Sequence, residues 1–197
     1  MPPPTPSIES LRAGDPQALA ALFDIHADRV YRLAFGLLRE RQAAEDVVQE
    51  TFLSALTHLD QFQGRSSLGT WLYRVAYNAS LTRLRERPSE LLPPDEPEAG
   101  EVALPRSLVE WGETPEEMLL DAEGRRHLEA AISALPETLR AAFILRDVEE
   151  LSTPETAESL GISEGAVKVR LHRARLMLRE HLAEYFGARA AQKEGEP

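Results

Sequence analysis

Near the carboxyl end of the chain, residues 153–179 read TPETAESLGISEGAVKVRLHRARLMLR. Gly161 separates two segments of helical periodicity, and glycine readily adopts the left-handed conformation that such turns often use. Ser163 stands where an N-cap is expected, and the small Ala157 lets the two helices approach closely. The pattern predicts a helix-turn-helix.

The second helix of this motif has an apolar face and a basic face. At about 100° per residue, the apolar stripe comprises Val167, Leu171, Ala174 and Leu178. The opposite face carries the candidate DNA contacts, which are Gly165, Lys168, Val169, His172 and Arg173, with Arg175 at its edge. From Lys168 to Arg179 there are five basic residues and no acidic one. A solvated helix face is the alternative, but the turn and the basic face together favour contact with phosphates and base edges.

The composition excludes several classes of protein. The 197 residues include 22 basic and 33 acidic ones, which gives a net charge of −11, and there is no cysteine. Disulfide frameworks, thiolate zinc sites and thiol nucleophiles are therefore excluded. No apolar run approaches the roughly 18 residues needed to cross a bilayer, and the first residues lack the features of a signal peptide. We expect a cytoplasmic protein without a membrane-inserted segment.

The acidic charge is densest in one segment. Residues 88–113 contain seven acidic residues, one basic residue and five prolines, a composition typical of an extended linker. We therefore predict an all-α chain of two small helical bundles, residues 14–87 and 114–186, joined by this acidic linker. A disordered tail is expected at residues 1–13 and a flexible one at 187–197.

The helices themselves are predicted from caps and apolar spacing. Asp15 followed by Pro16 marks the start of a helix that reaches Arg39. Thr114 followed by Pro115 marks the first helix after the linker. The remaining helices before the helix-turn-helix are expected at about residues 44–60, from 68 to the proline at 88, and at 137–149.

The helix expected at about residues 44–60 has a polar face. It presents Asp46, Gln49, Glu50 and Leu53 at spacings of about one helical turn. Two carboxylates at this spacing are also compatible with a metal site or an acid/base pair. No histidine lies near them and the chain has no glycine-rich phosphate loop, so a docking face for a basic partner is favoured.

The third helix carries a mixed basic and aromatic face. Its inward positions are Leu72, Val75, Ala76 and Ala79, and its outward positions are Arg74, Tyr77, Asn78, Leu81 and Arg85. Phe62 is expected to be exposed in the preceding loop, and Trp71 to be at least partly in the core. Arginines interleaved with an aromatic ring and an amide are typical of a platform for unstacked bases.

Three stretches together, residues 44–56, 62–78 and 165–175, resemble the extracytoplasmic-function sigma factors of bacterial RNA polymerase. The resemblance covers both bundles in the family's order. It implies a transcription initiation factor that binds core RNA polymerase and promoter DNA, is held by an anti-sigma factor, and is not an enzyme and needs no cofactor.

The resemblance also implies roles for the candidate residues. Asp46, Gln49, Glu50 and Leu53 would dock on the clamp helices of the polymerase. The −10 element would be opened by Phe62, Trp71, Arg74, Tyr77 and Asn78, with Arg85 further along the same face. The −35 element would be contacted by Gly165, Lys168, Val169, His172, Arg173 and Arg175.

Two other functions are compatible with parts of the sequence. A stand-alone helix-turn-helix regulator, usually a dimer on a palindrome, explains residues 153–179 but gives no role to the faces around Asp46 and Asn78. An enzyme is disfavoured because the five histidines are scattered and no catalytic motif is present.

Overall fold

The computed structural model describes residues 6–62, 64, 66–86 and 122–193, and the regular structure within them is helical. The amino-terminal half comprises α1 (Ile8–Arg12), α2 (Pro16–Leu38), α3 (Arg41–His58), a 3-10 turn (Leu59–Gln61) and α4 (Leu68–Glu86). The carboxyl-terminal half comprises α5 (Ala122–Ala134), α6 (Glu137–Phe143), a π turn (Ile144–Val148), α7 (Thr153–Leu160) and α8 (Glu164–Lys193). The predicted all-α class is confirmed.

The amino-terminal half is a bundle in which α2, α3 and α4 contact one another pairwise. Asp15 caps α2 as predicted, because its side chain accepts a hydrogen bond from the backbone of Gln17 at 2.9 Å. Leu33, Val47 and Leu72 have no exposed surface and form the centre of the bundle. Burial of such side chains contributes about 1.5–3 kcal/mol each relative to an exposed position.

The structure differs from expectation at both ends of the chain. Residues 1–13 include the helix α1, whose Leu11 is buried against the bundle, so the expectation of a wholly disordered tail is wrong. At the other end, α8 runs to Lys193 and passes the boundary expected at residue 186. The acidic linker at residues 88–113 and the cap at Thr114 lie outside the described residues.

The helix expected over residues 137–149 is an α-helix only in its first half and continues as a π turn. Regular α6 ends at Phe143 and is followed by the π turn, after which the backbone amide of Glu149 donates to the carbonyl of Ile144 at 2.8 Å. A π turn inserts one residue per turn and re-aims the side chains that follow it. Here Glu149 follows the turn and is directed inward.

The two halves contact each other directly. One continuous cluster of buried apolar side chains extends from α1–α4 into α6, the π turn, α7 and α8, and a smaller cluster joins α5, α6 and α8. Gly36 of α2 permits part of this contact, since a Cβ there would collide with Cδ1 of Ile144. The sequence predicted two bundles and a linker, and it did not predict this interface.

Candidate nucleic-acid interface

The predicted helix-turn-helix is formed by α7 and α8. Ser152 and Glu155 form a capping box at the start of α7, and the hydrogen bonds from Ser152 lower the pKa of the Glu155 carboxyl. Gly161 ends α7 with φ +68°, in the left-handed region where glycine is favoured. The side chain of Ser163 then accepts a hydrogen bond from the amide of Ala166 at 3.1 Å, which caps α8 as predicted.

The two faces of α8 are arranged as their spacing predicts. The apolar stripe is buried, with exposed fractions of 0–6 % at Val167, Leu171, Ala174 and Leu178. On the opposite face Gly165, Lys168 and Arg173 are exposed, and Val169 and His172 are half-buried. The first turns of α8 therefore present cationic and apolar groups side by side, as readout of base edges requires.

Arg175 has a partner within the protein. Its guanidinium donates two hydrogen bonds to Asp147 of the π turn, at 2.9 and 2.7 Å, and this pairing raises the pKa of Arg175. A bidentate pair of this kind fixes α8 against the preceding turn. In this structure Arg175 positions the helix that carries Lys168 and Arg173.

The outward face of α4 is narrower than expected. Arg74, Asn78 and Arg85 are exposed, as predicted. Tyr77 is only 5 % exposed and Phe62 only 6 %, so the expectation that these two side chains face outward is wrong. Because α4 contacts α2, α3 and α7, less of its circumference is left for solvent.

The buried ring of Phe62 packs against the ring of Trp71. Their ring centroids are 5.7 Å apart at an interplanar angle of 56°, a favourable geometry for an aromatic pair. Trp71 is half-buried, in agreement with its predicted partial place in the core. Trp71, Arg74 and Asn78 follow one another at helical spacing and lie on one face of α4.

The polar face of α3 is present as predicted. Gln49, Glu50 and Leu53 are exposed and Asp46 is half-buried, with 67 % of Leu53 accessible to solvent. Glu50 accepts a hydrogen bond from Arg83 of α4 at 2.6 Å, and Asp46 accepts one from Gln42 at 3.1 Å. Among the described residues no group of three potential ligands could hold a metal ion.

Comparison with known proteins covers both halves. The family model described as Sigma-70 region 2 matches residues 22–89, and the one described as Sigma-70, region 4 matches residues 125–178. The ECF RNA polymerase sigma factor SigW of Bacillus subtilis is 33% identical over 178 residues, which cover 90% of this chain and 95% of that protein. The chain belongs to the ECF RNA polymerase sigma factors.

Further relatives agree with this assignment. The sigma factor SigE of Mycolicibacterium smegmatis is 37% identical over 163 residues, which cover 81% of this chain and 60% of that protein. Among solved structures, the sigma factor RpoE in complex with the anti-sigma factor NepR from Bartonella quintana has a TM-score of 0.60 at 25% identity, over 83% of this chain and 96% of that one. CnrH in complex with the cytosolic domain of CnrY has a TM-score of 0.65 at 23% identity and shows the same fold, over 90% and 95%.

The protein is therefore a sigma factor that directs RNA polymerase to promoters. The region 2 match spans α3 and α4, the helices that a stand-alone helix-turn-helix regulator leaves without a role. Within the described residues, no helix of this sigma factor combines the length and apolar character needed to span a bilayer.

Charged residues at the contact between the halves of the sigma factor were not predicted from the sequence. Glu149 is 2 % exposed and is bound by Arg29 and Arg32 of α2. Arg140 is 6 % exposed and donates to carbonyls of both halves. The spacing of Arg29 and Arg32, three residues apart on one helix, was a sign of a shared anionic partner.

Proposed function

We propose that α8 contacts the −35 element of promoters, that α4 and the aromatic pair beside it open the −10 element, and that the polar face of α3 docks on core RNA polymerase. The protein would act without catalysis or a cofactor, in the cytoplasm. The observation that carries the proposal is the coincidence of these exposed faces with the two sigma-70 regions that the chain matches.

Recognition of the −35 element follows from the side chains of the α8 face. Lys168 and Arg173 can donate to guanine edges or to phosphates, and the Val169 methyl groups can contact the methyl group of thymine. His172 and the backbone at Gly165 lie on the same face and limit how closely the groove approaches. Arg175, being bound to Asp147, contributes by positioning α8.

Opening of the −10 element follows from the α4 face. Removing a base from the stack costs a few kcal/mol. Stacking of that base on an aromatic side chain and hydrogen bonds to its edge can compensate this cost. Trp71 offers a half-buried aromatic ring, Asn78 an amide with donors and an acceptor, and Arg74 and Arg85 positive charge for the backbone. Phe62 and Tyr77 would act from within the protein by holding this surface in place.

The first prediction concerns Asn78. Asn78→Ala removes the amide that would bind an unstacked base. The rate of open-complex formation should therefore fall by up to about tenfold. Binding to core polymerase should be unchanged, because Asn78 is on α4 and is not among the α3 side chains assigned to docking. The measurement is the fluorescence rise of 2-aminopurine placed in the −10 element after mixing with holoenzyme.

The matched control is Gln17→Ala, which removes an exposed amide from the first turn of α2. It should open promoters at the rate of the unaltered protein. Equal slowing in both variants, or loss of core binding in Asn78→Ala, would contradict the role given to Asn78.

The second prediction concerns docking on the polymerase. Leu53 is the most exposed of the large apolar side chains on α3 and lies beside Glu50 and Gln49. A charge in the centre of an interface must be desolvated, so Leu53→Asp should weaken core binding at least about tenfold. Titration of labelled protein with core polymerase measures this. Phe35→Asp, at another exposed apolar position, should bind normally.

Docking of an anti-sigma factor is part of the same proposal. The related sigma factor RpoE is bound by the anti-sigma factor NepR, and we propose a partner of this class for the present chain. Since the chain has no cysteine, it cannot itself sense thiol oxidation, and an inducing signal has to enter through such a partner.

A further inference from the structure

The short helix α1 packs on the 3-10 turn that precedes α4. Leu11 of α1 is buried and belongs to the same apolar cluster as Leu59 and Phe62. Beside this apolar contact, Nη2 of Arg12 donates to the backbone carbonyl of Phe62 at 3.1 Å and, in a longer contact, to that of Leu59 at 3.5 Å. One side chain of α1 therefore binds the backbone at both ends of the turn.

The helix α1 is itself fixed relative to α2. The side chain of Ser7 accepts a hydrogen bond from the amide of Ser10 at 3.1 Å, which caps the first turn of α1. In the connection to α2, the amides of Gly14 and Asp15 donate to the carbonyls of Leu11 and Ser10 at 3.0 and 3.1 Å. The side chain of Asp15 then caps α2. Because every part of this connection is hydrogen-bonded, α1 presents its arginine to the turn from a fixed position.

The backbone that Arg12 binds leads directly to the aromatic pair beside α4. Phe62 is the first residue after the 3-10 turn, and its ring lies 5.7 Å from that of Trp71 between centroids. The carbonyl that accepts the hydrogen bond and the ring that contacts Trp71 thus belong to one residue. A displacement of this backbone would move the ring against which Trp71 packs.

The hydrogen bonds to the turn, and not an ion pair, are the main contacts of the Arg12 guanidinium. Its nearest carboxylate among the described residues is that of Asp60, at 3.9 Å, and the Asp60 side chain is 94% exposed. Such exposed ion pairs contribute little because both charges stay hydrated. A charged donor on a carbonyl forms a stronger bond than a neutral donor does. Arg12 is therefore suited to hold the backbone of the turn in one position.

Resting on the function proposed above for the α4 face, we propose that Arg12 is a positioning residue for the opening of the −10 element. Through the turn it fixes Phe62, and through Phe62 it fixes the ring of Trp71 before DNA is bound. A surface that is already ordered does not lose conformational entropy when a base binds to it. Loss of Arg12 should therefore slow the opening of DNA and leave the preceding binding to the promoter unchanged.

The first measurement follows the position of Trp71 in the free full-length chain. The chain has two tryptophans, so Trp111→Phe leaves Trp71 as the only one. In this background Arg12→Gln should raise the rate constant for quenching of Trp71 fluorescence by acrylamide at least about twofold, because a ring that is packed less firmly is more accessible. Arg12→Lys keeps a charged donor and should recover part of the difference.

Asp60→Asn serves as the control, since it removes the ion pair of Arg12 and leaves the hydrogen bonds to the turn. Its quenching should equal that of the unaltered protein, and circular dichroism should show native helix content in every variant. Quenching of Trp71 that is the same in Arg12→Gln, Arg12→Lys and the unaltered protein overturns the proposal.

The second measurement uses holoenzyme and separates promoter binding from opening. The rate of open-complex formation, measured against holoenzyme concentration, gives an initial binding constant and a maximal rate of opening. Arg12→Gln should lower the maximal rate about fivefold and leave the initial binding constant unchanged. A weaker initial binding constant with an unchanged maximal rate would show that Arg12 contacts DNA phosphates, and the positioning role would be wrong.

Trp71→Ala in the same assay distinguishes this proposal from the proposed function. If Trp71→Ala opens the −10 element at the full rate, the role given to the α4 face is wrong, and the positioning role of Arg12 is wrong with it. If Trp71→Ala slows opening and Arg12→Gln does not, the proposed function stands and only the role of Arg12 is overturned.

Discussion

Replacing Lys168 and Arg173 together by alanine is expected to reduce transcription from a −35-dependent promoter by roughly a hundredfold. Each side chain is a cationic donor on the exposed face of α8, and a contact of this type to a base edge contributes about 1–3 kcal/mol. Because the rest of the chain is acidic, with a net charge of −11, few other groups of this protein can replace these contacts. The measurement is in vitro transcription with reconstituted holoenzyme over a library of −35 sequences.

The pattern of the loss identifies its cause. If Lys168 and Arg173 read bases, the variant should also lose preference among −35 sequences, whereas loss of phosphate contacts alone weakens all sequences equally. Arg126→Ala, which removes an exposed cation from α5 of the same half, should transcribe normally. Unchanged transcription in the double variant would contradict the assignment of α8 to the −35 element.

The helix-turn-helix could be predicted from sequence because the interactions that define it are local. Gly161 and Ser163 act on backbone groups within five residues of themselves, through the αL turn and the cap at Ala166. The buried stripe of α8 likewise follows from helical periodicity alone. For the same reason the cap at Asp15 was predicted correctly.

The outward face of α4 could be predicted only in part. Periodicity correctly assigned Arg74 and Asn78 to the surface. It gives the direction in which a side chain leaves the helix, but not whether another helix packs against that face. Tyr77 is buried on α4, which is surrounded by α2, α3 and α7, and Phe62 is buried where its ring packs against Trp71. The contact of α4 with α7 joins positions far apart in the chain. Helical spacing contains no information on such a neighbour.

The contact of Glu149 with Arg29 and Arg32 shows the same limit more clearly. Glu149 is 120 residues from Arg29 and 117 from Arg32 along the chain. Its inward direction depends on the π turn, which the periodicity of residues 137–149 does not reveal. Periodicity and caps are local to each half, so they contain no information on this contact between the halves.

Arg140 is expected to have the largest effect on stability of any charged residue described. Its Nη1 donates to the carbonyls of Gly36 and Leu37 at 3.1 and 3.4 Å, and its Nη2 to that of Leu135 at 2.5 Å. These carbonyls are at or just beyond the carboxyl ends of α2 and α5, where backbone acceptors lack helical partners. One guanidinium therefore satisfies helix ends from both halves.

Arg140→Met should lower the free energy of unfolding by about 3 kcal/mol, because it keeps the apolar stem and leaves buried carbonyls without a donor. Burial and the nearby Arg39 lower the pKa of Arg140 to about 10, so the side chain is still charged at pH 7. Urea unfolding followed by circular dichroism measures the loss. Arg140→Lys retains a charged donor and should recover part of the stability, whereas Arg41→Met should leave the unfolding curve unchanged. If Arg140→Met were as stable as the unaltered protein, relief of the buried charge would outweigh the lost hydrogen bonds, and Arg140 would not be what joins the ends of α2 and α5.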